Sequence, residues 1–329
     1  MNGSIRESTL RELFESKMEK DTDNKLNEAT LKSGHGLSYS EGFKIWEIIF
    51  SVANDAKVLK RLVVEMIEDH CLENVRYLEI RSTPKKLEEG FEKKDYIEKV
   101  LEGIKEGTEL CEKKYGWSPL VKYLVSINRT ETAEEAMKSV QLAAKYHREG
   151  LPSPAVVGVE IGGDPSKGNV ERDFIPALKK AKEEALKIAV HIAEIKDTDQ
   201  ENGILLALEP HRLGHAICLN EEHKQIVISK KIPIEMCLTS NTVFYDSKPE
   251  EHHMDFYFKK NHPISLCCDD RGVFQTTCSK EFLIAANAFQ LSKKQLAQIT
   301  MESIEQCFIG EEDKKSLRET FTRMLKELL

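Results

Sequence analysis

Apolar and polar positions alternate between two textures along this chain. Short β-branched runs predict strands at 75–80, 120–126, 155–161, 188–192, 212–215, 232–237 and 264–268, seven in all. Longer amphipathic segments lie between them. Phe174, Leu178, Ala181 and Ala185 recur at i, i+4, i+7 and i+11, as do Leu317, Phe321, Met324 and Leu328. That spacing puts each set on one helical face. Thr132 with Glu135 and Ser316 with Glu319 read as capping boxes, in which hydroxyl and carboxylate satisfy amides at a helix entrance. The first seventy residues read as helical except around 32–39, where Ser33-Gly34-His35-Gly36 marks a loop.

Strands separated by helices predict a parallel sheet, because a parallel return needs a crossover, and strands this apolar suit burial on both faces. A β/α barrel and an open doubly wound sheet both satisfy that pattern. No glycine-rich phosphate fingerprint follows the first strand, and Gly162-Gly163-Asp164-Pro165-Ser166-Lys167-Gly168 fits neither a P-loop nor a dinucleotide turn. The open nucleotide-binding sheet loses weight accordingly. No Pro/Gly/Ser-rich linker or internal repeat interrupts the pattern, so residues 1–329 read as a single α/β domain.

Composition narrows the function classes. With 329 residues and 40% hydrophobic composition, the chain can bury a large core. Its 48 basic and 56 acidic side chains give a net charge of −8, and neither sign forms a block suited to nucleic acid. Eight cysteines, at 71, 111, 218, 237, 267, 268, 278 and 307, lack the spacing of a zinc ribbon or disulfide scaffold and read as reduced core residues. No apolar stretch nears the roughly 20 residues that span a bilayer, and the opening Met1-Asn2-Gly3-Ser4-Ile5 is not a signal peptide. The expectation is a soluble cytoplasmic protein, a monomer, with no nucleic-acid or membrane partner.

The chemistry gathers at strand ends. Arg81, Gly163-Asp164, His191, His215, Thr239-Ser240-Asn241 and Asp269-Asp270 all fall at or just past the carboxyl ends of predicted strands. In a β/α barrel those ends share one rim, where active sites form. His191-Ile192-Ala193-Glu194 offers an imidazole for a metal and a carboxyl for proton transfer three residues on. Taken singly, a strand-end histidine is more often a hydrogen-bonded structural residue, Glu194 a solvated charge, and Asp269-Asp270-Arg271-Gly272 a turn or helix cap. Histidine, glutamate, histidine and twin aspartates in successive strand-end positions are much harder to explain separately.

Val157-Gly158-Val159-Glu160-Ile161-Gly162-Gly163-Asp164, His191-Ile192-Ala193-Glu194, Arg212-Leu213-Gly214-His215, Cys237-Leu238-Thr239-Ser240-Asn241, and His262-Pro263 leading to Asp269-Asp270-Arg271-Gly272-Val273-Phe274 resemble the ordered motifs of adenosine deaminases through nearly the whole chain. The resemblance implies a TIM barrel of the metal-dependent hydrolase type with one zinc ion per subunit. His191 and Asp269 would be metal ligands, Glu194 the proton donor to the purine ring, and His215 the residue that orients the metal-bound water. Gly163 and Asp270 would contact the base. Tyr77-Leu78-Glu79-Ile80-Arg81-Ser82-Thr83-Pro84-Lys85 and Ser126-Ile127-Asn128-Arg129 look more like the branch acting on N6-methyl-AMP than like classical adenosine deaminase. That narrower likeness implies substrate contacts from Asn2, Asn128 and the Ser82, Thr83, Pro84, Lys85 segment. Hydroxyls, free amides and one ammonium after a strand make a plausible 5′-phosphate site.

The implied reaction is hydrolytic deamination of a purine nucleoside monophosphate, with adenosine itself as the alternative substrate. Departures are also visible. Members of the family carry a His-x-His pair at the end of the first barrel strand, and Asn2-Gly3-Ser4-Ile5 resembles the residues immediately after that pair. With the pair and an eighth strand absent from the sequence, the expectation is a barrel with exposed strand edges, weak metal affinity, poor activity and marginal stability, or a catalytically impaired purine-binding relative. His35, flanked by glycines, reads as a loop residue and not as a replacement ligand. Ala216, Asn128 and Arg271 stand where the family pattern differs, and a barrel hydrolase acting on a non-purine amide is the more distant reading.

Overall fold

A computed structural model describes residues 1–18, 46 and 48–328. The predicted loop around His35 lies outside the described residues. Seven strands form: β1 (Tyr77–Ser82), β2 (Leu120–Asn128), β3 (Val156–Gly162), β4 (Lys187–Ile192), β5 (Arg212–His215), β6 (Ile234–Met236) and β7 (Ile264–Leu266). All neighbouring pairs are parallel and follow chain order. The helices numbered here are α1 (Glu7–Met18), α2 (Ala56–Leu72), α3 (Lys93–Tyr115), α4 (Ala133–Glu149), α5 (Ile175–Glu183), α6 (Asp199–Ala207), α7 (Glu221–Lys230), α8 (Leu238–Tyr245), α9 (Met254–Lys259), α10 (Cys278–Phe289), α11 (Lys293–Glu305) and α12 (Glu311–Leu328).

The sheet is curled. Were it flat, β1 and β6 would stand roughly 24 Å apart at the usual strand spacing. Instead Arg81 of β1 meets Glu235 of β6 at 2.9 Å, and Arg212 of β5 pairs with both Glu235 and Glu79 of β1. These four charges fill the interior like the stacked side-chain layers of a β/α barrel. The outward faces carry the apolar load: all seven residues of β3 are buried, and Val156, Val159 and Ile161 join one core cluster with Val140, Phe174 and Leu178 from the helices outside. Each such side chain contributes about 1.5–3 kcal/mol through burial.

Among the described residues β1 and β7 do not pair with each other. Residues 1–5 lie across their carboxyl ends: the Met1 nitrogen donates to the Arg81 carbonyl at 2.9 Å, and the Gly3 carbonyl accepts from Gly272 and Val273. A Cβ on Gly3 would lie 2.1 Å from the Asp270 carboxyl, and one on Gly272 1.9 Å from the Ile5 carbonyl, so both glycines are needed for this approach.

Two expectations need correction. Ser316 sits inside α12, which starts at Glu311, because Glu311, Glu312 and Asp313 place three carboxylates against the positive end of the helix. Ala185 lies beyond α5 with φ +58°, so the apolar stripe on this helix ends at Ala181. The Thr132–Glu135 capping box forms, with both reciprocal hydrogen bonds present. Strand β1 runs two residues later than the pattern predicts because its pairing with β2 continues to Ser82 opposite Val125. All eight cysteines are free thiols, and no helix among the described residues is long and apolar enough to cross a membrane.

Candidate active site

Four strand ends deliver the polar residues to one buried volume. His191 projects from β4, with its ring centroid 5.0 Å from that of His215 at the end of β5. The His215 Nε2 lies 3.9 Å from Glu194 Oε2 and 4.0 Å from Asp269 Oδ2. Strain marks these positions: Ala193, His215, Ala216 and Asp269 all adopt φ between +52° and +60°. Non-glycine residues avoid that region unless their surroundings force it, and such residues cluster at functional sites. Gly214 leaves ordinary contact room for the neighbouring His191 ring, since a Cβ there would stand 3.5 Å from it.

The two imidazoles are tuned in opposite directions. Burial lowers His215 to about 4, so the ring is neutral. Burial also opposes charge on His191, yet the Glu160 carboxylate outweighs it and raises this ring to about 9. His191 Nδ1 donates to Glu160 Oε1 at 2.5 Å and lies 3.2 Å from the Ile161 carbonyl. With Nδ1 committed, Nε2 is the nitrogen left for other chemistry. A carboxylate behind a histidine is the usual support for a metal-ligating ring.

A further donor stands at the rim. His215, Cys237 and Asp269 each place one ligand atom within 4.8 Å of the others. Imidazole, carboxylate and sulfur donors together suit a borderline ion such as zinc, so the residues present fit such a metal.

Around this centre the remaining candidates divide. Asp270 is half-buried beside Gly3, its Oδ2 accepts from Trp46 Nε1 at 2.9 Å, and desolvation together with Asp269 raises its carboxyl to about 6. Trp46, Phe244 and Phe274 form an aromatic wall there, with ring centroids 5.4–6.2 Å apart. Gly163, at φ +99°, admits the Asn128 carboxamide, whose Nδ2 lies 2.9 Å from where a Cβ would be. The Asn128 Oδ1 is held in a turn by Thr130. Ser82 is buried with its hydroxyl against Tyr123, whereas Thr83 stays half-buried and Pro84 is buried. The Lys85 ammonium lies 4.7 Å over the Phe50 ring; burial lowers its pKa, and no acidic partner among the described residues offsets this. Asn2 sits partly exposed in the turn Asn2–Ser4.

The family model described as adenosine deaminase matches residues 1–324. The chain belongs to the adenosine deaminase family. It is 34% identical to the N6-methyl-AMP deaminase-L of Xenopus laevis, over 97% of this chain and 90% of that one. The structure of Arabidopsis ADAL complexed with IMP superimposes with a TM-score of 0.91 at 34% identity, covering 100% of this chain and 95% of the other. The adenine deaminase of Arthrobacter aurescens, only 15% identical, shares the fold at a TM-score of 0.80, with 99% and 96% covered.

Within this adenosine deaminase fold, several residues acquire roles that the sequence alone leaves unassigned. Cys237, read as core, reaches the donor cluster, and the one advance sign was its place at a strand end. Glu160 supports His191. Thr239 and Ser240 serve the backbone: Thr239 meets the buried Glu281 carboxylate, which also accepts from the Thr239 amide at 3.1 Å, and Ser240 bonds the Cys237 carbonyl. Asn241 alone of that motif turns to the centre, 3.0 Å from His215 Nδ1. Arg271 pins the loop after β7 to α2 through Asp69 and Glu73, which accounts for an arginine at that position.

Proposed function

We propose that the protein hydrolyses N6-substituted purine nucleoside monophosphates, converting N6-methyl-AMP and water to IMP and methylamine. The observation that carries this reading is the convergence of Glu194 and Asp269 on the buried His215, each within 4.0 Å of its Nε2. Relatives named N6-methyl-AMP deaminase, matched over nearly the whole chain, support the substrate class. His191 and Asp269 would hold a zinc ion, with Cys237 as a further donor at hand. Zinc, when bound, supplies a water acidic enough to attack the ring carbon near neutral pH.

The protein's own groups do the rest. Glu194 delivers a proton to the ring nitrogen beside the reacting carbon, the work of a positioned general acid. Its carboxyl stands across from His215, which orients the attacking oxygen. Asp270 and the Gly163 turn receive the base edge, and the Trp46, Phe244 and Phe274 wall offers the flat apolar surface that a purine ring fills. Lys85, half-buried and without a carboxylate among the described residues, is the cation for the 5′-phosphate, with Thr83 and Asn2 beside the entrance.

Competition between N6-methyl-AMP and adenosine tests the assignment. The expected kcat/KM favours the monophosphate at least tenfold; preference for the nucleoside would return the site to adenosine deamination and remove the phosphate role of Lys85.

A further inference from the structure

A neutral imidazole has one N–H shared between two possible positions, and the choice decides whether His215 faces Glu194 and Asp269 as a donor or as an acceptor. Behind the ring runs a line of contacts. His215 Nδ1 is 3.0 Å from the Asn241 side-chain nitrogen, and Asn241 Oδ1 is 3.0 Å from His252 Nε2. At its far end the Met254 backbone N–H donates to His252 Nδ1 at 3.1 Å. His215, Asn241 and His252 are each at most 5% exposed. In so dry a place the partners must satisfy one another.

The far end sets the direction of the whole line. A backbone N–H is always a donor, so His252 Nδ1 accepts and the proton of that neutral ring sits on Nε2. His252 Nε2–H therefore donates to Asn241 Oδ1, the Asn241 amide donates to His215 Nδ1, and the His215 proton is left on Nε2. Turning the Asn241 amide over does not rescue the opposite arrangement. His252 would then accept at both nitrogens, which a neutral imidazole cannot do. His253 holds the frame from outside the line: its Nε2 donates to the His215 carbonyl at 2.8 Å.

We propose that His252 and Asn241 are positioning residues that fix His215 as its Nε2–H tautomer, so that it meets the reacting oxygen as a hydrogen-bond donor. The tautomer stands on the contacts alone; its consequence for turnover rests on the deaminase reading above.

Asn241→Asp is the sharpest test, because it replaces the amide donor with an acceptor of the same shape. The carboxylate still receives the His252 Nε2–H, and it must draw a proton onto His215 Nδ1. Two-bond proton–nitrogen correlation spectra of the full chain with ¹⁵N-labelled histidine report which ring nitrogen is protonated, with His215 assigned by its loss in His215→Asn. The expected result is Nε2–H in the parent and Nδ1–H in Asn241→Asp. Turnover should fall at least tenfold in that variant while KM changes less than threefold. His252→Leu, which frees Asn241 to rotate, should give a mixture of tautomers, and His252→Gln, which keeps a donor toward Asn241, should restore the parent pattern. Nδ1–H in the parent, or Nε2–H retained in both Asn241→Asp and His252→Leu, would overturn the relay. A tautomer switch in a protein that turns over no purine would uphold the relay and remove the deaminase reading.

Discussion

His191 and His215 share a wall of the site with ring centroids 5.0 Å apart, yet Glu160 lies behind one and the Asn241 amide behind the other. Burial disfavours charge on both rings; the Glu160 carboxylate outweighs it at His191 and raises that ring, whereas at His215 burial prevails and the ring is neutral. Glu194 faces the second ring, and removing its proton-donating capacity should isolate its role. Glu194→Gln keeps the shape and should lower kcat by about 10²–10⁴-fold, the usual contribution of a positioned acid, with KM little changed; an equal loss in 1/KM would assign Glu194 to binding. Lys85→Ala removes the half-buried ammonium and, with it, a charge-assisted contact of about 1.5–3 kcal/mol. Steady-state kinetics should show kcat/KM for N6-methyl-AMP falling roughly ten- to hundredfold and that for adenosine scarcely moving. At this scale the sequence exposed those groups whose position alone is informative. His191, His215 and Asp269 end apolar runs and stand out in print. Glu160 and Cys237 do not, and the role of Asn241 behind His215 does not either, because their partners come from other strands and helices, and only the fold brings His252 behind Asn241.

The strands hold the site by burying charge as well as apolar surface. Arg212 of β5 bridges Glu79 and Glu235 and also donates to the Gln306 carbonyl at 2.9 Å, tying β1, β5, β6 and the segment after α11 together. Arg212→Met leaves two carboxylates in the interior with less cationic support, a change of about 3–5 kcal/mol where one partner of a buried pair is removed. Urea unfolding should show stability falling by that amount; an unchanged midpoint would mean that the interior charges contribute nothing net. One residue before Arg212, His211 Nδ1 accepts from the Ile188 amide, and burial followed by the nearby Lys187, Lys182 and Arg212 charges lowers its pKa to about 4. The unfolded chain binds that proton near 6.5, so stability should fall as the pH drops from 6.5 toward 4 and be flat above. Urea midpoints across that range should decline less steeply in His211→Gln. The seven strands were legible because each apolar run is bounded by turn-forming residues. Boundaries were less so: Ser316 mimics a cap, but helix α12 starts earlier at a cluster of acids, and Ala185 continues the spacing one step past the helix end.

Across the whole molecule, the rim is the common product of four strands that must end at the same height. β4 and β5 pair from Ala189 opposite Arg212 to Ile192 opposite His215, which sets the two histidines side by side. β6 and β7 pair through Met236 opposite Leu266, which brings Cys237 and Asp269 to the same rim. The reaction therefore depends on the register of the sheet, and residues 1–5 contribute by packing Gly3 against Asp270 across the ends of β1 and β7. The parallel strand–helix alternation was readable from strand spacing, and the barrel from the resemblance; the approach of Gly3 to Asp270 was not, since it joins segments 267 positions apart.

The central claim is that this volume performs hydrolysis at the purine C6 position. Incubating the zinc-loaded protein with N6-methyl-AMP in ¹⁸O-labelled water, with products followed by mass spectrometry, tests it most directly. The predicted result is IMP carrying one ¹⁸O at C6, one methylamine released per IMP, and loss of both in Glu194→Gln. Unchanged N6-methyl-AMP after prolonged incubation with stoichiometric zinc bound would contradict it.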